Sequence, residues 1–290
     1  MSAGRPRRAP GDDAGRSPSA VGWLLREWRA TRGLSQLALA NEAGISARHL
    51  SFVETGRAEP SRELLLRLGA TLGMPPRDRN ALLAAAGFQP VFRGTAWEDR
   101  DAAELLHAVQ LILRGHEPFG ALALSGFEIV MVNAAFAHFA SFFLGPDRLP
   151  RPFELAPRPR LDMLALTFDP DAGFRRHVRN WQAVARQVLW QARAELAAHR
   201  SRRGREQLDA VMRYPGVAEL ADCPAEPGPG FVLPVEIEIG GQLLRLFTTL
   251  TTLGTPQDLI ASELRIEAYH PADAATEALL RAADPQTIAR

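Results

Sequence analysis

The chain has no lysine. All 34 of its basic residues are arginine, set against 33 Asp and Glu, for a formal charge of +1. A balance this close to zero does not announce a nucleic-acid binder, but a whole-chain sum can hide opposed domains. There is one cysteine, Cys223, in a Pro/Gly-rich turn. That excludes an internal disulfide framework and a cysteine-cluster zinc or iron–sulfur site. The most apolar region, 119–143, is interrupted by Ser125, Glu128, Asn133 and His138, so no membrane-spanning helix is expected. The N-terminus lacks the apolar stretch of a signal peptide, and a soluble, cytoplasmic chain is the expectation. Histidines 49, 107, 116, 138, 177, 199 and 270 are scattered, and no metalloprotease helix motif, dinucleotide-binding glycine motif or P-loop is present. Cys223 has no local histidine partner. No catalytic residues, metal or other cofactor are expected, and an enzyme is the weakest of the functional classes.

What is present is 290 residues, 46% apolar and 23% charged, enough for about two globular domains. The overall charge hides a division. Residues 1–93 hold 14 Arg against 8 acids, a net of +6, and residues 94–290 hold 20 Arg against 25 acids, a net of −5. A basic front and an acidic rear imply different partners for the two parts.

Residues 1–18 are Gly, Pro, Ser and Arg with little to bury, and read as a disordered arm. Five short helical patterns follow over residues 19–88. Serines at 19, 35, 46 and 61 stand at their starts or Pro75-Pro76 opens them, and glycines 33, 44, 56, 73 and 87 end them. Each is too short to stand alone, so they must share one core. Residues 89–97 read as a linker. Beyond it, a helix to Arg114 precedes two short strands about Ser125-Gly126, then a helix capped by Asn133. Residues 144–160 are loop-like. Leu161 to Phe168, Trp181 to Arg200 and Arg205 to Tyr214 read as helices. A hairpin turns at Gly240-Gly241, residues 257–269 hold a strand or short helix, and the Ala-rich last 20 residues read as a helix. This is an α+β chain: an all-helical front followed by an α/β rear, 98–290.

The most specific constellation runs from Arg29 to Arg57. Ala40 supplies a small residue where two helices meet, Gly44 permits the tight turn between them, and Ile45 and Leu50 plug the core. Residues 46–51 then begin a helix that can enter a major groove. Ser46, Ala47, Arg48, His49 and Ser51 are the groove candidates, Arg48 foremost, since a guanidinium can pair with a guanine edge. Gln36 stands where its amide can bridge to phosphate or to the recognition helix. Arg57 and Arg62 are phosphate candidates, solvated surface being the alternative for each of these side chains. Glu54 would repel phosphate, and a structural salt bridge with Arg29 is its better assignment.

These residues resemble the Cro/repressor-type helix-turn-helix, the XRE family. The resemblance rests on Arg29, Leu34-Ser35-Gln36, Leu39-Ala40, Ala43-Gly44-Ile45, Leu50, Glu54, Gly56-Arg57, Pro60-Ser61, Leu68 and Leu72-Gly73. It implies a five-helix, lambda-repressor-like DNA-binding domain, pairing of Arg29 with Glu54, and a backbone or base contact for Gln36. Trp28 departs from the pattern and reads as a core or surface aromatic. The rear resembles the ligand-binding domain of MmyB-like regulators, a PAS-like sensor, on the helix before the strands, residues 119–139, the helix at Trp181 and the strands of 243–271. Met131-Val132-Asn133 stands where that family usually has a tryptophan before the asparagine. The resemblance implies a hydrophobic or fatty-acid-like ligand. Phe127, Ile129, Met131, Phe136, Phe139, Phe142 and Phe143 are candidates to line an apolar pocket, with plain core packing as the alternative. His138, His177, Arg175, Arg176 and Arg179 could meet a carboxylate head group or be surface. The implied protein is a sequence-specific transcriptional regulator that binds a palindromic double-stranded operator, as a homodimer, with no membrane partner. A helical protein-interaction or antitoxin-like module without ligand sensing is the alternative.

Overall fold

The computed structural model describes residues 19–144, 148–199, 201–221, 232–254, 256 and 258–283. The expected arm at 1–18, the turn around Cys223 and the end of the last helical stretch lie outside the described residues. The chain divides into two compact units between Phe92 and Arg93, inside the stretch read as a linker.

The first unit is entirely helical: α1 (Ala20–Thr31), α2 (Gln36–Glu42), α3 (Ala47–Glu54), α4 (Arg62–Thr71) and α5 (Pro76–Ala85). Each of the first four starts on a serine whose Oγ accepts a backbone N–H three residues on. Ser19 receives Gly22 and Ser35 receives Ala38 at 3.1 Å, Ser46 receives His49 at 3.1 Å, and Ser61 receives Leu64 at 3.2 Å. Pro76 opens α5, where a missing N–H costs nothing. Gly44, at φ +66°, ends α2 with the paired bonds of a Schellman turn, its N–H reaching Asn41 O and that of Ile45 reaching Ala40 O. The core gathers Leu25, Trp28, Leu39, Ala40, Leu50, Val53, Leu65, Leu68 and Leu82. Trp28 belongs to that core, and it is only 1% exposed.

In the second unit a 3-10 turn at 100–102 leads into α6 (Ala103–Arg114). There follow β1 (Ala121–Ser125), β2 (Glu128–Val132), α7 (Ala134–Ser141), α8 (Met163–Phe168), α9 (Trp181–His199), α10 (Arg202–Val211) and α11 (Val217–Ala221). The chain continues through β3 (Val235–Ile239), β4 (Gln242–Thr252), α12 (Leu259–Glu263), β5 (Leu264–Pro271) and α13 (Ala274–Ala282). The stretch read as strand or helix is thus both, α12 running directly into β5. The sheet is antiparallel, in the order β2-β1-β5-β4-β3, so the last strand closes the middle. One face packs Ala121, Ala123, Ile266 and Ala268 against Val109 and Leu113 of α6. The other carries Leu122, Leu124 and Val132 toward Phe136 and Phe174. A further cluster holds α8, α9, α10 and α11 together through Leu164, Phe168, Leu189 and Val211. Asn133 is fully buried and joins several elements. Its Oδ1 accepts from Phe136 N, capping α7, and from Ala121 N at the start of β1, both at 2.9 Å, while Nδ2 donates to Phe119 O.

Helices α1 and α3 cross at Gly22, where a Cβ would lie 2.1 Å from the carbonyl oxygen of Glu54. The Gly22→Ala variant should therefore lose about 1–3 kcal/mol of stability or more by overpacking. Gly44→Ala meets nothing within 4 Å and should lose only about 1–2 kcal/mol through its left-handed backbone. Amide hydrogen exchange of α1–α3 in the two variants checks the order.

Candidate functional site

The front site is built around a buried carboxylate. Glu54, at the end of α3, is 0% exposed. Arg29 of α1 grips it bidentately, Nε donating to Oε1 at 2.8 Å and Nη2 to Oε2 at 3.1 Å. Gln36, the first residue of α2, donates Nε2 to Oε2 at 2.7 Å. Arg29 also donates Nη1 to the Leu34 carbonyl, at 3.0 Å, in the turn before α2. Three helices are thus pinned to one side chain. The Gln36 amide is thus engaged with α3 through Glu54.

This pinning sets the outward side of α3. Arg48 is exposed and its guanidinium lies 5.3 Å from the ring of Phe52, one turn on. Ser46 is exposed, with its Oγ already accepting the His49 N–H. His49 and Ser51 are half-buried, and Ala47 is half-buried against the core. Arg57 and Arg62 are exposed beyond the helix. Other arginines of this unit serve the scaffold. Arg32 donates to the Leu72 and Gly73 carbonyls at 2.9 and 3.0 Å, closing the end of α4. Arg79 donates to Met74 O at 2.7 Å, and burial holds its pKa below the ordinary guanidinium value. No local sequence pattern marks Arg32 or Arg79 for these roles, because the carbonyls they reach come from helix ends.

The rear unit holds an apolar cavity of about 140 Å³ between α7, the β3–β4 hairpin, β5 and α13. Phe136, His138, Phe139 and Phe142 line one side, and Ile239, Leu244, Leu246, Leu279 and Leu280 line the other. Among the described residues, the polar groups that line it are His138, Gln242 and Tyr269, and no arginine does. The Tyr269 hydroxyl donates to the half-buried Glu267 carboxylate. Burial and that carboxylate together hold the tyrosine pKa well above its ordinary value, and burial raises that of Glu267.

The structure brings together Phe136, His138, Phe139 and Phe142 of the residues proposed for a ligand. It does not bring Phe127, Ile129, Met131, Phe143 or Arg179 to the cavity. Phe127 packs with α9 and α10 under the Arg265 guanidinium. Ile129 and Met131 fall in different clusters because β2 carries a bulge. Ala123 pairs with Met131 and Leu124 with Ile129, so Val130 is the extra residue and alternation breaks. Phe143 lies behind Phe139, against Phe174 and His177, with ring centroids 5.1 and 4.8 Å away. Arg179 is paired with Glu238 at 2.8 Å beside a separate polar hollow that also takes Arg176 and His177. Arg175 stacks 3.9 Å over Trp181 and donates to the Phe168 and Pro215 carbonyls. The lining residues of α13, β3 and β4 are not legible from the sequence because they are about 100 positions or more from α7.

Residues 105–283 match the MmyB-like transcription regulator ligand binding domain. The chain belongs to this family. Residues 20–82 match a helix-turn-helix domain, so this MmyB-like regulator joins a DNA-binding front to a ligand-binding-type rear, and it is a regulator rather than an enzyme. Two solved structures are similar over 21% and 24% of this chain. The restriction-modification controller protein C.AhdI from Aeromonas hydrophila is 34% identical, with 21% of this chain and 92% of that chain covered, at a TM-score of 0.20. The clp gene regulator ClgR from C. glutamicum is 35% identical, with 24% of this chain and 86% of that chain covered, at a TM-score of 0.21. No curated protein matches the chain. Among the described residues, no group of three or more His, Cys, Asp or Glu could hold a metal ion, and no helix is long and apolar enough to cross a membrane.

Removing the Glu54 carboxylate leaves Arg29 and Gln36 without their common acceptor. Glu54→Ala should cost about 3–5 kcal/mol in urea unfolding of the helical unit, and Glu54→Gln, which keeps an acceptor oxygen, distinctly less. Equal losses would show that packing, not hydrogen bonding, dominates there.

Proposed function

We propose that this regulator binds a specific palindromic operator as a homodimer, reading bases with α3, and that its rear unit binds a small hydrophobic, fatty-acid-like molecule. The observation that carries the DNA half is the pinned geometry of α1, α2 and α3. It leaves Arg48 exposed on a helix whose orientation is fixed by Glu54. In this reading Arg48 meets a base edge, and Ser46, Ala47, His49 and Ser51 approach the groove beside it. Gln36, with its amide engaged by Glu54, orients rather than reads. Arg57 and Arg62 contact phosphate. One such module makes few contacts, so two are needed on adjacent half-sites.

The front is then a five-helix, lambda-repressor-like domain over 19–88, and 89–97 is the connection to a PAS-like domain over 98–290. The strand order β2-β1-β5-β4-β3 supports the PAS-like reading. The cavity supports an apolar ligand. Its walls are Phe and Leu, and His138 and Gln242 offer the polar contacts that would orient a head group. The five candidates that lie away from the cavity, Phe127, Ile129, Met131, Phe143 and Arg179, belong in this reading to the fold around it.

Fluorescence anisotropy with an upstream intergenic duplex and a scrambled duplex, at stated salt, tests the DNA half. Arg48→Ala should weaken operator binding by about 10- to 100-fold and scrambled DNA far less. Arg57→Ala and Arg62→Ala should weaken both duplexes alike and flatten the log–log salt slope by about 1 each. Equal binding of the wild type to both duplexes would remove the claim of specificity.

Native mass spectrometry tests the ligand half. The wild type should carry a releasable lipid-sized mass, or bind added fatty acid. Ala135→Trp, which fills the cavity from α7, should lose it while keeping DNA affinity. A wild-type protein that takes up no fatty acid would overturn this half alone.

A further inference from the structure

We propose that the outer edge of β4 over Thr248–Thr252 is the surface on which a second copy of this chain docks, its own Thr248–Thr252 adding as an antiparallel strand about a two-fold axis at Leu250. The proposal rests on the homodimer reading above and assigns its interface.

The sheet leaves this edge open and covers the others. On the outer side of β2, the Phe153 and Ala156 N–H groups donate to the Val132 and Val130 carbonyls, and Ile129 N–H donates to Leu161 O. On the outer side of β3, Val178 bridges to Ile237 and Arg179 N–H donates to Glu236 O. β4 is longer than β3 and outruns it. β3 pairs with Gln242–Leu246, whereas β5 pairs with β4 as far as Thr252. Among the described residues, no strand pairs with the outer edge of the remaining half of β4. Its outward N–H and C=O groups are a template for another strand.

The side chains agree with the backbone. A strand with one face on a core buries every second residue, but Thr248, Thr249, Leu250, Thr251 and Thr252 are all exposed, Leu250 at 48%. From Leu246 to Leu253 there is no charge, proline or glycine, so the usual guards against edge pairing are missing. β3, by contrast, carries Glu236 and Glu238.

The order of residues selects a second copy over an unrelated strand. Thr-Thr-Leu-Thr-Thr reads the same in both directions. Antiparallel pairing about Leu250 sets Leu250 against its equivalent, Thr249 against Thr251 and Thr248 against Thr252, and cross-strand Thr–Thr pairs are favourable. A two-fold axis sets each patch against itself, and an uncharged segment has nothing there to repel. One closed two-fold contact also pairs the molecules without building a filament.

Sedimentation equilibrium of the full chain tests this together with disulfide trapping. The wild type should be dimeric at micromolar concentration, and Leu250→Lys should shift to half that mass at the same concentration. Mixing Leu250→Lys with Leu250→Glu should restore the dimer. Leu250→Cys in a Cys223→Ser background should oxidise to a covalent dimer on a non-reducing gel. A dimeric wild type, unmoved by Leu250→Lys and without the cross-link, would overturn this interface and leave the homodimer reading standing. A monomeric wild type would overturn both, and so would open-ended oligomers. Neither result would touch monomer DNA binding or cavity occupancy.

Discussion

The helical unit depends on one buried carboxylate. Taking Glu54 out of water costs several kcal/mol unless its oxygens are answered by donors of good geometry. They are answered three times, twice by Arg29 and once by Gln36. Those donors come from α1 and α2, so the electrostatic need of one residue at the end of α3 becomes a constraint on three helices. The backbone of the same residue supplies a second constraint, because its carbonyl lies where any Cβ at position 22 would stand. The lock acts at the C-terminal end of α3, and this leaves the N-terminal end, with Arg48, to face outward. A purely apolar crossing would hold the helices together without fixing their rotation so narrowly, since dispersion contacts have little directionality.

The rear unit solves a different problem. Its central strand, β5, is the last to be made, so β1 and β4 cannot be joined until the chain has passed through α7 to α12. The cavity inherits that non-locality. Phe136 and Phe139 come from early in the unit, Leu244 and Leu246 from its hairpin, and Leu279 and Leu280 from its final helix. Asn133 is the local counterpart. A side chain with both acceptor and donor atoms, fully buried, satisfies the start of α7, the start of β1 and the Phe119 carbonyl together. It fixes the α7 wall of the cavity from a position that the sequence marks as a helix cap.

This difference explains what could be read in the residues. The serine caps, the glycine stops and the Gly240-Gly241 hairpin are local features, and their elements stand within a few residues of the positions the sequence marks. The pairing of Arg29 with Glu54 was available from family resemblance because the motif is compact. Cavity membership was not available. A bulge at Val130 breaks the alternation of β2 and sends Ile129 and Met131 to different clusters. Aromatic richness counted Phe127 and Phe143 as lining, whereas they pack behind the cavity or away from it. The opposite walls were legible as a hairpin and a helix, but not as neighbours of α7, because nothing in either segment names its partner.

The all-arginine composition also takes on a physical meaning that a charge count misses. A guanidinium offers five donors in a planar fork and can satisfy carbonyls at the ends of helices while stacking on a ring. Arg32 does both, closing α4 and lying near Trp28. Arg175 does both between the Phe168 and Pro215 carbonyls and Trp181. Arg265 reaches the Gly126 carbonyl and Glu195 beside Phe127. An ammonium could not replace these planar contacts. Formal charge therefore overstates the positive surface left for a polyanion, because part of it is spent inside each unit. What separates Arg48 and Arg62 from Arg29, Arg32 and Arg79 is their exposure on α3 and at the start of α4, while the latter three are tied to carbonyls or to Glu54. Position in the scaffold, more than the +6 of the front segment, makes α3 the candidate reader of DNA.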